Sequence, residues 1–237
     1  MSRETGALAG KAETSTSLRK VATRALFALV AIAVWFATQS LIGSRGFPEG
    51  IGDKVHLWLT PATAWLAQHS EVANVLLIVT SAIIDTLGLL LFLSGILGQS
   101  VRPLLGLLIL FILRQLCQAL IALPPPEGMI WRYPGWPSLF VTYGTANDFF
   151  FSGHTAIAVY GAMELARFRN RWLTIAGAAI AAIEALTVLV LRAHYTMDVL
   201  TAILAAACAM KVAHQVAPAC DRMLASGRSR EGSRGNA

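Results

Sequence analysis

The stretch that decides the fold is Val72–Gly98, VANVLLIVTSAIIDTLGLLLFLSGILG, an apolar run carrying a single charge, Asp85. A run of about 20 apolar residues spans the hydrocarbon core of a bilayer as a helix. Five more stretches read the same way: Arg24 to about Gly43, Leu104–Leu123, Phe149–Ala166, Trp172–Leu191 and Asp198 to about Val216. The whole chain fits that reading. Its 237 residues are 56% hydrophobic and 14% charged, with mean hydropathy +0.61, against about 25% charged in soluble domains. For the chain as a whole, those figures exclude a soluble enzyme, a disordered tail and a small disulfide scaffold. The expected fold is all-α, a six-transmembrane-helix bundle over residues 21–218. A basic N-terminal arm (1–20) and a Ser/Gly/Arg-rich tail (219–237) are expected to be disordered.

Charge placement sets the expected orientation. Fourteen of the nineteen Lys and Arg fall on one side of the six spans: the N-terminal arm, Arg102, Arg167, Arg169, Arg171 and the C-terminal region. By the positive-inside rule both termini are then cytoplasmic. The net charge of +6 thus reads as a topology signal, not a nucleic-acid footprint. Cys117, Cys208 and Cys220 have no metal-site or disulfide spacing and read as inert thiols. The Gly50–Ser70 connection, with Trp58 and Trp65, reads either as a helix in the headgroup layer or as a loop helix packed on the bundle. His56, His69 and His214 read as bystanders.

With this topology the outward face collects a proline-rich connection, Pro124–Asp148, and the starts of the fourth and sixth spans. Each start carries a histidine. His154 lies in Asp148-Phe149-Phe150-Phe151-Ser152-Gly153-His154-Thr155, and His194 in His194-Tyr195-Thr196-Met197-Asp198-Val199. His194 and Asp198 are four residues apart and share a helix face. A carboxylate there can hold one ring nitrogen's proton and leave the other nitrogen as nucleophile or base. Ser152 reads as a helix cap. Gly153 permits close backbone approach, and amides at a helix start can cradle an anion.

The two histidine blocks, with Leu123-Pro124-Pro125-Pro126-Glu127-Gly128-Met129 and Arg114 before them, resemble the sphingomyelin synthase family, a branch of the type 2 phosphatidic acid phosphatase superfamily. The resemblance covers roughly residues 70–215. It implies an integral membrane phosphotransferase, moving a phospho-headgroup from a phospholipid donor to ceramide or a similar lipid alcohol without metal or cofactor. His194 would form a phosphohistidine, Asp198 would orient it, His154 would act as acid and base, and Asp148 would position the second histidine or the headgroup. Ser152, Gly153, Arg114, Arg192 and Glu127 would bind substrate. The active site would face periplasm, lumen or cell exterior. The match has gaps. Ala146-Asn147 stand where the family carries Cys-Gly, and Leu191-Arg192-Ala193 where it carries Ala-His-Asp. Gly95 and Val188 replace cations of the wider phosphatase pattern, which leaves Arg114 and Arg192 as the cationic partners of phosphate.

Two other readings use the same residues. With water as acceptor the chain would be a lipid phosphate phosphatase or a phospholipase C-like hydrolase. With Arg114, Asp85 and Glu184 as a polar path it would be a transporter or lipid-binding protein. The structural expectation for those three is mutual pairing within the membrane. Trp131, Tyr133, Trp136 and Tyr143 suit an interfacial aromatic belt or a cage for a choline-like amine.

Overall fold

The structure, a computed structural model, describes residues 50–141, 143 and 149–234, with side chains through Leu224, and scattered positions from 26 to 40. Residues 1–52 form one unit and Asp53–Ala237 another; the fold below is that of the second. The expected first span lies largely outside the described residues.

In this second unit six helices follow one another, and no strand occurs among the described residues: α1 (Lys54–Gln68), α2 (Ser70–Leu97), α3 (Arg102–Leu120), α4 (Gly153–Ala166), α5 (Arg171–Val190) and α6 (Thr196–Arg234). Four are long and apolar enough to cross a membrane: α2, α3, α5 and the Thr196–Leu224 part of α6. In α2, Ala73, Leu77, Thr80, Ser81, Ile84, Leu87, Gly88, Leu91 and Gly95 are buried. That three-to-four spacing puts one stripe on the bundle and leaves the rest to lipid. Gly95 is needed where the chain turns back, because a Cβ there would collide with Leu104. Pro103 then sits in the first turn of α3, where its missing N–H is no loss.

The fourth expected span is corrected. Its helix begins only at Gly153 and has 14 residues, about 21 Å at 1.5 Å per residue, short of the ~30 Å hydrocarbon core. The reason is the capping chemistry of Ser152, described below. What α4 lacks in length it has in burial: His154 through Ala158, Tyr160, Gly161 and Glu164 are all buried. It packs against α2, α3, α5 and α6. The facing stripe of α6, Ala202, Ala206, Ala209, Ala213 and Ala217, is fully or almost fully buried, and such small side chains let helices approach closely. Past the expected end at Val216, α6 continues to Arg234. Asp221 holds it against the α2–α3 turn by accepting the Val101 amide at 2.9 Å.

A second correction concerns the expected pairing of Asp85, Glu184 and Arg114, because the 138–141 stretch of the proline-rich connection folds back against the middle of α2. Asp85 accepts the Ser138 hydroxyl (3.0 Å) and the amides of Leu139 and Phe140 (both 2.8 Å). Phe140 covers Gly88 and stacks on Phe111. Irregular backbone survives at such depth where protein groups satisfy it, and that is the role of Asp85. Asp85, Glu184 and Arg114 therefore do not pair with one another. Glu184 is fully buried, and neither carboxyl oxygen has a hydrogen-bond partner.

Of the two readings of the 50–70 connection, a helix packed on the bundle describes α1. His56, Thr63 and Leu66 face the bundle while Leu57, Trp58 and Trp65 are exposed.

Candidate active site

The first histidine block is built by a helix cap. Ser152 is extended (φ −60°, ψ 112°), and its Oγ accepts the Thr155 amide at 3.3 Å, which fixes where α4 starts. The amides of Gly153 and His154 then have no protein acceptor among the described residues, the arrangement that suits an anion. Arg114, from the middle of α3, donates Nε–H to the Phe151 carbonyl at 2.9 Å. Its guanidinium lies across Gly153, where an added Cβ would stand 3.3 Å from Nε. Glycine therefore lets the cation reach the amide-bearing end of α4. His154 is buried, its Nε2 has no hydrogen-bond partner, and its ring meets Trp131 edge-on at 5.0 Å. It lies within electrostatic reach of His194 and Arg114.

The second block follows α5. Arg192 is left-handed (φ 50°), which turns the chain so that Tyr195 precedes α6. Asp198 Oδ2 accepts the Tyr195 amide at 2.8 Å, the reach-back of a capping box. His194 is buried, with Nδ1 2.7 Å from the Phe149 carbonyl and 3.5 Å from Asp198 Oδ2. The hydrogen bond expected to Asp198 is thus made to a backbone carbonyl of the first block, with the carboxylate one step behind. A carbonyl only accepts, so Nδ1 carries the proton and Nε2 keeps the lone pair. Asp198 Oδ1 is buried without a partner.

The blocks are joined directly. Besides the His194–Phe149 bond, the Ser152 amide donates to the Asp198 carbonyl at 3.3 Å. His154, His194, Asp198, Ser152, Gly153 and Arg114 thereby form one cluster. Arg192 and Glu127 stand apart from it. The Arg192 guanidinium donates to the Glu127 carbonyl (2.6 Å), the Thr60 hydroxyl (3.0 Å) and the His56 carbonyl (3.4 Å). The Glu127 side chain is exposed. Asp148 lies outside the described residues.

Sequence reasoning missed the latch on this cluster. Asp53 caps α1 by accepting the amides of Val55 and His56 (3.0 and 3.3 Å). The same carboxylate takes the Thr196 amide at 2.6 Å and its hydroxyl at 2.8 Å. Burial alone would raise the Asp53 pKa, but these donors and His56 outweigh it and hold the carboxyl below its ordinary value. His56, read as a bystander, is buried and bonds the His194 carbonyl through Nε2 at 3.0 Å. Thr63 donates to the Val190 carbonyl at 2.7 Å. Tyr195 donates its hydroxyl to the Pro124 carbonyl at 3.1 Å; burial, then Asp198 and Asp53, push that phenol's pKa up. The α1 helix and the proline segment thus brace the backbone around His194 from two sides. The one legible signal was Gly52-Asp53 ahead of an apolar-periodic run, a helix-start pattern.

Beside His154, Trp131 stacks on Tyr143 at 5.1 Å, and Tyr133 meets Tyr143 edge-on at 5.9 Å. The Tyr143 and Ser81 hydroxyls are hydrogen-bonded.

Apolar helices, two histidine blocks joined by hydrogen bonds and a guanidinium at a helix start define a membrane protein with chemistry suited to a lipid phosphate. The family comparison narrows this. The AtPDCT1/2 family of phosphatidylcholine:diacylglycerol cholinephosphotransferases matches residues 55–215, and the chain belongs to that family. The matched span runs from α1 into α6 and contains both histidine blocks. It supports a membrane phospholipid headgroup transferase. No curated protein and no solved structure matches the chain.

Proposed function

We propose that this protein moves phosphocholine from phosphatidylcholine to a lipid alcohol, diacylglycerol first among them, through a phosphohistidine on His194. One observation carries the reading: His194 gives its Nδ1 proton to the Phe149 carbonyl of the block that bears His154 and Arg114. A tautomer fixed in that way directs the Nε2 lone pair outward as a nucleophile.

In the first half-reaction Nε2 attacks phosphorus, the bond to the glycerol oxygen breaks, and His154, protonated once the anionic phosphate lies beside it, gives its proton to that oxygen. Diacylglycerol leaves and phosphocholine remains on Nε2. In the second, neutral His154 takes the proton of an acceptor hydroxyl, whose oxygen attacks phosphorus and breaks the P–N bond. Arg114 and the Gly153 and His154 amides neutralise the phosphoryl oxygens, where preorganised donors are most effective. Asp198 offsets the positive charge on the His194 ring while phosphorus is attached. The Trp131, Tyr133 and Tyr143 rings offer faces for the quaternary ammonium. The distribution of basic residues supports histidines facing outward and cytoplasmic termini.

The test uses proteoliposomes with choline-labelled phosphatidylcholine and, in separate arms, diacylglycerol of distinct acyl composition or ceramide. Labelled phosphatidylcholine carrying the new acyl chains is expected, and His154→Ala is expected to abolish it. Release of free phosphocholine alone would replace transfer with hydrolysis. Wild-type turnover in the His154→Ala variant would remove its role as acid and base.

A further inference from the structure

The histidine cluster occupies one end of the α4–α6 pair. At the other end the same two helices border an open groove of about 340 Å³, lined by Met163, Arg167, Ala207, Met210, Lys211, His214 and Gln215. Its apolar lining is Met163, Ala207 and Met210, and its polar lining comes from both helices. Among the described residues, neither Arg167 nor Lys211 has an ion-pair partner. The nearest acid in sequence, Glu164, is already bound bidentately by Arg102 (3.0 and 2.6 Å). No lining residue is acidic, so the groove is a concave surface of one charge sign.

Depth adds a constraint. Lys211 lies fifteen residues beyond Thr196 on one continuous helix, about 22 Å along its axis. That is less than the ~30 Å hydrocarbon thickness. With the start of α6 at one bilayer boundary, the Lys211 backbone lies short of the other. An ammonium there is costly unless it reaches the interface or meets an anion. Arg167, at the C-cap of α4, arrives at the same groove from the neighbouring helix.

We infer that this groove binds an anionic phospholipid of the second leaflet, separately from the lipids handled at the histidines. The phosphate sits between Arg167 and Lys211, with His214 and Gln215 as further polar contacts. An acyl chain lies along Met163, Ala207 and Met210. Arginine supplies a planar fork for phosphate and lysine a point charge. Basic pockets between membrane helices on the side rich in Lys and Arg are where anionic headgroups bind.

The test uses the full chain in nanodiscs of phosphatidylcholine with a minor fraction of phosphatidylglycerol. After transfer to detergent, native mass spectrometry reads the lipids retained. The wild type is expected to retain phosphatidylglycerol far above its share. Arg167→Gln combined with Lys211→Gln is expected to cut that preference about 30-fold, as two basic contacts at a membrane surface would. Ala207→Leu keeps every charge but adds bulk to the apolar lining, and is expected to lower retention as well. Both variants are scored only as monodisperse protein that still binds phosphatidylcholine. Unchanged preference in the double variant would overturn the inference. So would full retention in Ala207→Leu, or clearance of the lipid by inorganic phosphate alone, which would mark a free-anion site instead.

Discussion

Asp53→Asn separates the two jobs of one carboxylate. Asparagine caps a helix about as well as aspartate, so α1 should keep its start. Toward Thr196 the substitution is unfavourable: the carboxylate accepts an amide at 2.6 Å and a hydroxyl at 2.8 Å, and a carboxamide presents an NH₂ to one of those donors. Hydrogen bonds to a charged acceptor contribute about 1.5–3 kcal/mol each. Asp53 is only half-buried, so solvent reduces the total to about 1–2 kcal/mol. If the latch serves to hold the His194 backbone in its reactive position, that energy appears in the transition state. At 1.36 kcal/mol per tenfold, kcat should fall roughly 5- to 30-fold with KM little changed. Initial rates of headgroup transfer in mixed micelles, with thermal unfolding followed in parallel, read this out. The pH dependence follows from the lowered carboxyl pKa. The Asp53 contribution is complete above its unfolded value of 3.8 and is lost as pH falls through the lower folded value. The gap between wild type and variant should therefore close in strong acid. A variant matching wild type in kcat at neutral pH would refute the latch.

Three further substitutions probe separate parts of the account. Gly106→Ala would drive a Cβ into the ring and hydroxyl of Tyr160, which is fully buried and bonded to the Arg102 carbonyl; a loss of about 1–3 kcal/mol should lower the unfolding temperature. An unfolding temperature equal to wild type would show that α3 and α4 are not in this contact. Gly153→Ala meets only the flexible Arg114 head at 3.3 Å, so stability should hold. Transfer should nonetheless drop about tenfold as the cation is displaced from its place beside the α4 amides. Asp198→Asn should cost about 10²-fold, the kinetic equivalent of one charged hydrogen bond. That is less than the ~10⁴ of a triad aspartate, because the Phe149 carbonyl already fixes the tautomer. A loss near 10⁴ would return that job to Asp198.

The membrane class was legible in composition and run length, and the two histidine blocks in local spacing. His194 lies before α6 instead of on it, yet its Nδ1 stands 3.5 Å from Asp198 Oδ2. What spacing could not carry was the choice of proton acceptor, since the Phe149 carbonyl is 45 residues from His194 and a backbone atom leaves no mark in side-chain pattern. Arg114 appeared as a lone charge in an apolar helix, and its approach to Gly153 depends on how α3 and α4 pack. Arg192 looked equivalent to it by charge, yet its left-handed backbone turns the guanidinium toward carbonyls of α1 and the proline segment. Asp85 read as an intramembrane charge in need of a counter-ion; its partners are backbone amides of a folded-back segment that polarity marked as surface. The short α4 was misread because Phe149-Phe150-Phe151 extends its apolar run, while Ser152 stops the helix from starting earlier.

The central claim is a covalent bond between phosphorus and His194 Nε2. Incubating purified protein with phosphatidylcholine labelled in the phosphate, without acceptor, and quenching in base should preserve an acid-labile phosphoramidate. The account predicts label on the peptide containing His194, discharged by added diacylglycerol and absent from His194→Ala. Label on another residue, or transfer by the His194→Ala variant at the wild-type rate, would contradict it.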